Sequence, residues 1–480
     1  MRKPLICLLA GGSLLTASLA LAATTLPPAP VANALARAGV PDAAFGIHVY
    51  NLSDDELLLE VAGDTPFNPA SVMKLITTFA ALDVLSPAYT WKTEALIDGP
   101  LFDGRLTGNL YFRGHGDPSL TLERFWLFLR ELRNRGVRDI SGNVYLDRSA
   151  FAIGAHDPAE FDGEPTRPYN VGADALLLNY KTVLLRFVPD EANGRIDILS
   201  DPLLPGINII NNLALGKGHC DYWPRTPTQN GNTLAFTGVF PSGCGEKSRY
   251  YSLLEPDAYF SAVFRQLWAE LGGTLSGSVE AGTVPRDARL IASRESAPLA
   301  EVVRETNKFS NNVMARHLFL SLGSEQGYPL TTNKARSILD AWLASRRFDF
   351  SGLEVDNGSG LSRSSRLTPR QLGQVLIEAW RSPLMPELVA SLPLVAVDGT
   401  MKKRLDESPV AGRAHVKTGY LEGVRSIAGY VNNARGQTLS VVFFVNHDRS
   451  RYAGPALDAL LEWAHGAANE PSTQLRNVGR

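Results

Sequence analysis

Ser71 and Lys74 stand three positions apart in the tetrapeptide Ser71-Val72-Met73-Lys74. On a helix that spacing puts a hydroxyl and an amine on one face, about one turn apart. The pair could work as a nucleophile beside its base. Asn68, Pro69 and Ala70 ahead of the serine read as a helix opening, and residues 72–85 are apolar nearly throughout, as in a helix buried in the middle of a domain, with Pro87 marking its end. A helix start aims free backbone N–H groups at an incoming carbonyl, and its dipole favours negative charge on the serine oxygen. Lys74 can take a proton only when its amine is neutral, which burial and a second nearby cation promote. A capping serine beside a snorkelling lysine gives the same letters. The tetrapeptide therefore decides nothing alone.

Two further motifs follow in order. Ser310-Asn311-Asn312 lies within residues 298–322, which carry a helical pattern, and Lys417-Thr418-Gly419 falls at the start of a strand followed by hairpin-like sequence. Ser-x-x-Lys, a Ser-x-Asn element and Lys-Thr-Gly together form the signature of penicillin-binding proteins and class A β-lactamases. The chain resembles the low-molecular-mass class C penicillin-binding proteins, the D-alanyl-D-alanine carboxypeptidase/endopeptidase family of the penicillin-binding protein 4 type. The resemblance covers nearly the whole chain. Its most specific feature is the 239 positions from Ser71 to Ser310 (310 minus 71), a gap that in this family holds an inserted two-domain module. Residues 357–363, Asn-Gly-Ser-Gly-Leu-Ser-Arg, and Asp398-Gly399-Thr400 resemble further family segments.

The resemblance implies roles. Ser71 attacks the penultimate D-Ala carbonyl and is acylated, and Lys74 takes its proton. Ser310 relays a proton to the leaving amine, while Asn312 orients the substrate amide and helps hold Lys74. Lys417 and Thr418 bind the terminal carboxylate, and Gly419 lets the substrate backbone lie against the strand edge. The backbone N–H groups of Ser71 and Tyr420 form the oxyanion hole. A β-lactam should acylate Ser71 and leave slowly. Tyr420 departs from the usual Ser or Thr after Lys-Thr-Gly, so the hydroxyl contact to the carboxylate is in question. The family also tends to carry an insertion carboxylate that receives the free amine of diaminopimelate; Glu164 falls near that place, with Asp162 and Asp147 as competitors. Expected partners are peptidoglycan stem peptides and, as covalent inhibitors, β-lactam antibiotics. Both carboxypeptidase and endopeptidase action use the same acyl-enzyme. A serine β-lactamase and a non-catalytic wall-binding protein are the alternatives. The first lacks a Glu-x-x-Leu-Asn segment for its base, and the second would be expected to lose Ser71 or Lys74.

The rest of the chain sets these residues in context. Arg2 and Lys3, an apolar run at 5–21 and the small-residue site Ala20-Leu21-Ala22 read as a secretory signal over residues 1–22. Export to the periplasm is expected, as a soluble or loosely membrane-associated protein without a transmembrane anchor. Losing Arg2 and Lys3 takes the formal net charge from −2 to −4, and nothing suggests a nucleic-acid footprint. Cys7 leaves with the signal, and Cys220 and Cys244, 24 positions apart (244 minus 220), are expected to form a structural disulfide. The eight histidines are scattered, so neither a metal site nor a cofactor is expected. Residues 113–118 read as a tight turn and 363–366 as a polar loop.

The remaining 458 residues (480 minus 22) exceed one core. Residues 45–51 and 57–61 form a hairpin pattern; 412–416, 426–432 and 437–446 are three more strand candidates, 369–380 a helix and 453–465 a closing amphipathic helix. Between them, residues 90–286 break into short β-like runs such as 110–113, 143–146 and 182–187. The fold expected is α/β: a discontinuous serine transpeptidase/β-lactamase-like domain, an antiparallel sheet flanked by helices, at 23–90 and 287–480. A mostly β insertion at 91–286 divides into two subdomains.

Overall fold

The computed structural model describes residues 25–466 except 349 and 351; the expected secretory signal lies outside the described residues. Strands β1 (Phe45–Asn51), β2 (Glu56–Val61), β3 (Ala414–Leu421), β4 (Val424–Asn432) and β5 (Thr438–Asn446) form one antiparallel sheet. Their order is β3-β4-β5-β1-β2, so the N-terminal hairpin joins the C-terminal meander through β1 and β5, and β3 is left at an edge. Alternate side chains of β5 serve two cores. Val441, Phe443 and Val445 pack with helix α1 (Ala29–Ala38), while Val442 and Phe444 pack with helix α2 (Lys74–Leu85) and α5 (Pro369–Arg381). Closing helix α6 (Gly454–Gly466) lies on the α1 side. Each buried phenylalanine contributes about 1.5–3 kcal/mol by leaving water. Two covered faces explain why the expected strand at 437–446 reads as an almost continuous apolar run.

Helix α2 is buried on nearly every side, as its composition predicts. Its two threonines return their hydroxyls to carbonyls, Thr77 to Gly358 at 2.7 Å and Thr78 to Lys74 at 2.7 Å, so neither is stranded in the core. Two expectations change in detail. The helical stretch 298–322 is two helices, α3 (Leu299–Lys308) and α4 (Asn312–Ser321), separated at Ser310, which has φ +57°. Lys417 is not at a strand start but midway along β3, because the ladder to β4 continues to Leu421 opposite Val424.

Between α2 and α3 runs the insertion. A five-stranded sheet orders Val279–Ala281, Val144–Asp147, Leu110–Gly114, Lys92–Ile97 and Arg289–Glu295 side by side. The last strand lies beyond residue 286 yet pairs with Lys92–Ile97. Two helices absent from the mostly β reading, Leu122–Asn134 and Pro256–Glu270, cover the sheet: the Phe112 ring lies 5.6–5.9 Å from those of Phe125, Phe128, Phe260 and Phe264. Phe125, Phe128, Leu129 and Leu132 recur at helical spacing, which is the signal that marks the first. Nested between those helices, two three-stranded sheets span residues 183–251. Here Cys220 and Cys244 form a disulfide with their Cα atoms 5.4 Å apart.

Candidate active site

The approach to Ser71 is built by Asn68. Its backbone N–H donates to Asn446 Oδ1 at 2.7 Å, its Oδ1 accepts the Ala70 N–H at 2.9 Å, and its Nδ2 donates to the Ser362 carbonyl at 2.8 Å. These bonds hold Ala70 in a left-handed conformation (φ +48°). Ser71 therefore lies in a 3₁₀ turn, Ala70–Met73, which runs directly into α2, rather than in the α-helix itself. Gly360 is required against this turn, since a Cβ there would lie 1.9 Å from the Ala70 carbonyl oxygen.

Lys74 is completely buried. Its Nζ lies 3.0 Å from Ser71 Oγ, 2.7 Å from Asn312 Oδ1 and 2.5 Å from the Ser359 carbonyl oxygen. Burial, reinforced by the Lys417 ammonium and then the Arg316 guanidinium, pulls its pKa well below the ordinary lysine value. The three residues of Ser310-Asn311-Asn312 divide the work. Ser310 occupies the break between α3 and α4, Asn311 caps α4 by accepting the Met314 N–H at 3.1 Å, and Asn312 reaches Lys74. Lys417 Nζ donates to Ser310 Oγ at 2.8 Å and to the Thr418 carbonyl at 2.7 Å, and burial lowers its pKa to about 7. Thr418 Oγ1 lies 2.9 Å from Thr400 Oγ1. At Gly419 a Cβ would fall 2.1 Å from Ser426 Oγ, whose hydroxyl bonds the Pro69 carbonyl at 2.7 Å and ties β4 to the turn before Ser71.

The structure thus brings Ser71, Lys74, Ser310, Asn312, Lys417, Thr418 and Gly419 together. Tyr420 is exposed on the same edge strand, with the Arg425 guanidinium 3.6 Å from its ring centre. The insertion carboxylates have other partners. Glu164 pairs with Arg167, and Asp147 is buried against the Ser149 and Val284 N–H groups at 2.9 and 2.8 Å. Asp162 accepts from Tyr169 Oη at 2.8 Å and Asn170 Nδ2 at 2.7 Å, in the segment whose Tyr169 carbonyl receives Asn312 Nδ2 at 3.3 Å.

Sequence reasoning missed three participants. The Ser359 carbonyl is a backbone group within 357–363, a segment noted only as a family likeness. Thr400 belongs to a segment noted only as a family likeness, and its position comes from Asp398, which accepts the Lys308 ammonium at 2.6–2.8 Å and the Leu394 N–H at 2.8 Å. Arg316 is buried one turn beyond Asn312 on α4. Its place four residues after Asn312 was the available signal.

A family model described as D-Ala-D-Ala carboxypeptidase 3 (S13) matches residues 28–464. The chain belongs to that family. Among family relatives, the D-alanyl-D-alanine carboxypeptidase DacB of Haemophilus influenzae is 25% identical over 412 residues, covering 84% of this chain and 85% of that protein. The D-alanyl-D-alanine carboxypeptidase of an Actinomadura species is 28% identical over 436 residues, covering 86% and 79%. The fold matches the crystal structure of penicillin binding protein 4 from Haemophilus influenzae with a TM-score of 0.75 at 23% identity, over 90% of this chain and 99% of that one. The same protein complexed with a β-lactam gives a TM-score of 0.71.

Proposed function

We propose that this protein is a serine DD-peptidase of peptidoglycan stem peptides and their cross-links. Ser71 Oγ attacks the carbonyl carbon of the penultimate D-Ala as its proton passes to the neutral Lys74 amine. The backbone N–H groups of Ser71 and Tyr420 receive the developing oxyanion, a donor of this kind contributing about 3 kcal/mol. The C–N bond to the following residue then breaks, and the leaving amine takes its proton through Ser310. Water hydrolyses the resulting ester, giving its hydroxyl to the acyl group and its other hydrogen back to Ser71. Lys417 and Thr418 hold the terminal carboxylate, and a carboxylate of the 162–164 segment, Glu164 or Asp162, receives a free amine on the stem. A terminal D-Ala as leaving group makes the reaction a carboxypeptidase step, and a cross-linking diaminopimelate amine makes it an endopeptidase step.

The observation that carries this reading is the 3.0 Å approach of Lys74 Nζ to Ser71 Oγ in a pocket that strips water from the amine. Family membership and the two relatives called D-alanyl-D-alanine carboxypeptidases support it, and the β-lactam complex of the Haemophilus protein supports β-lactam binding. We read residues 1–22 as the signal that sends the chain to the periplasm, and 91–286, extended by the Arg289–Glu295 strand that completes its five-stranded sheet, as the inserted module. Among the described residues no helix is long and apolar enough to cross a membrane. Intact mass after incubation with benzylpenicillin tests the proposal. A persistent adduct in the unaltered protein and none in Ser71→Ala is expected. Rapid drug loss without an adduct would favour a β-lactamase, and no reaction would favour a binding protein.

A further inference from the structure

Arg316 is a buried cation without a carboxylate inside ion-pair distance among the described residues. Burying a charge in that way is costly, and a neutral side chain of similar length would fill the space without the penalty. The feature calls for a use. Arg316 follows Asn312 by four positions, so both side chains leave the same face of α4, and both end on carbonyl oxygens of the insertion: Asn312 Nδ2 on Tyr169 and Arg316 Nη1 on Val171. One residue on, the His317 Nε2 lies 2.9 Å from the Asp174 carbonyl oxygen. The helix that presents Asn312 to Lys74 is thus stitched along its length to residues 169–174.

We propose that Arg316 is a positioning residue for acylation, holding a fixed positive charge one helical turn from the Asn312 that bonds Lys74 while its own bond to Val171 seats the insertion against the same face of α4. The inference rests on the acyl-enzyme reading of Ser71 and Lys74. The charges that bear on Lys74 are Lys417 from β3 and Arg316 from α4; its hydrogen-bonding partners Ser71, Asn312 and Ser359 are neutral. Burial lowers the Arg316 pKa to about 10 against the opposing pull of Asp356, which faces it, so the guanidinium stays charged at neutral pH. The cavity of about 550 Å³ beside Arg316 is also walled by His156, Asp157, Glu160 and Arg363. A guanidinium suits the role because it keeps its proton where a buried lysine would lose one.

The test is the pH dependence of acylation by benzylpenicillin, followed by intact mass, in Arg316→Gln, Arg316→Met and Arg316→Lys. Gln keeps a donor for Val171 without charge, Met keeps neither, and Lys keeps a donor whose charge burial weakens. In both neutral variants the ascending limb should move to higher pH by about one unit, leaving acylation about tenfold slower below the limb. Arg316→Lys, whose buried amine sheds its proton more readily than the guanidinium, should place the limb between that of the unaltered protein and those of the neutral variants. Either neutral variant that folds suffices, with folding judged by thermal melting. A neutral variant whose limb superimposes on that of the unaltered protein, or a uniform loss of rate at every pH without a shift, overturns the inference. Failure of the unaltered protein to form any adduct on Ser71 would instead bring down the acyl-enzyme reading.

Discussion

Two kinds of buried lysine lie within one small region. Lys74 and Lys417 are fully buried and face hydroxyls, an amide and carbonyls, while Lys308, nearly as buried, meets both oxygens of Asp398. An ammonium cut off from water without a counter-ion sheds its proton readily and becomes available as a base. One that keeps a carboxylate is a strut. Here the strut braces the candidate site: Lys308 ends α3 two residues before Ser310, and Asp398 begins the segment that sets Thr400 against Thr418.

The sharpest way to break this comparison is Lys74→Met. It should lower benzylpenicillin acylation by a factor on the order of 10³, the range of a lost general base, with little change in melting temperature; a rate within tenfold of the unaltered protein would end the assignment of Lys74 as base. Asp398→Ala should do the opposite. It leaves Lys308 buried and unpaired, and because Asp398 is itself partly exposed we expect a loss of about 2 kcal/mol in urea unfolding, below the full penalty for a buried pair. Lys308→Met in that background should restore part of it. Thr400→Val removes one hydroxyl partner of Thr418 and should raise KM a few-fold for a D-Ala-D-Ala peptide with kcat nearly unchanged, on the order of 1 kcal/mol. The smallest effect concerns acid. Burial works to raise the Asp398 pKa, but the Lys308 ammonium and the Leu394 N–H outweigh it and hold the carboxyl below its ordinary value. A lowered carboxylate pKa stabilises the fold above the unfolded value of about 3.9 and is lost as pH falls through the folded one. Asp398→Asn should therefore flatten the loss of stability in that acid window.

The motifs were legible because their chemistry needs particular side chains at particular places: Ser71 with Lys74 by helical spacing, Ser310 with Asn312 across a cap, and Lys417-Thr418-Gly419 on a strand. The sheet was legible for a similar reason, since residues 441–445 form a continuous apolar run and Phe45, Ile47 and Val49 alternate along 45–51. What the letters hid was irregular backbone. Helical periodicity runs through Ser310 without marking the positive φ that turns it toward Lys417, and apolar residues on both sides of Lys417 do not say where β3 begins. The helices of the insertion were lost among short apolar runs, although Phe125, Phe128, Leu129 and Leu132 have the spacing of a buried helical face. The disulfide between Cys220 and Cys244 needed only the expectation of an oxidising compartment and two cysteines left over.

The place of β1 in its sheet has a temporal consequence. Phe45 pairs with Val445 and Asn51 with Leu439, partners that lie at the opposite end of the chain. As the polypeptide is made, Ser71 and Lys74 emerge long before the strand that carries Lys417 and the one that pairs with β1. Such distant pairings fold slowly, because a long loop must close before any contact rewards it. A half-made chain therefore holds Ser71 without the lysine across the cleft, and the proposed site stays incomplete until β3 and β5 have been synthesised.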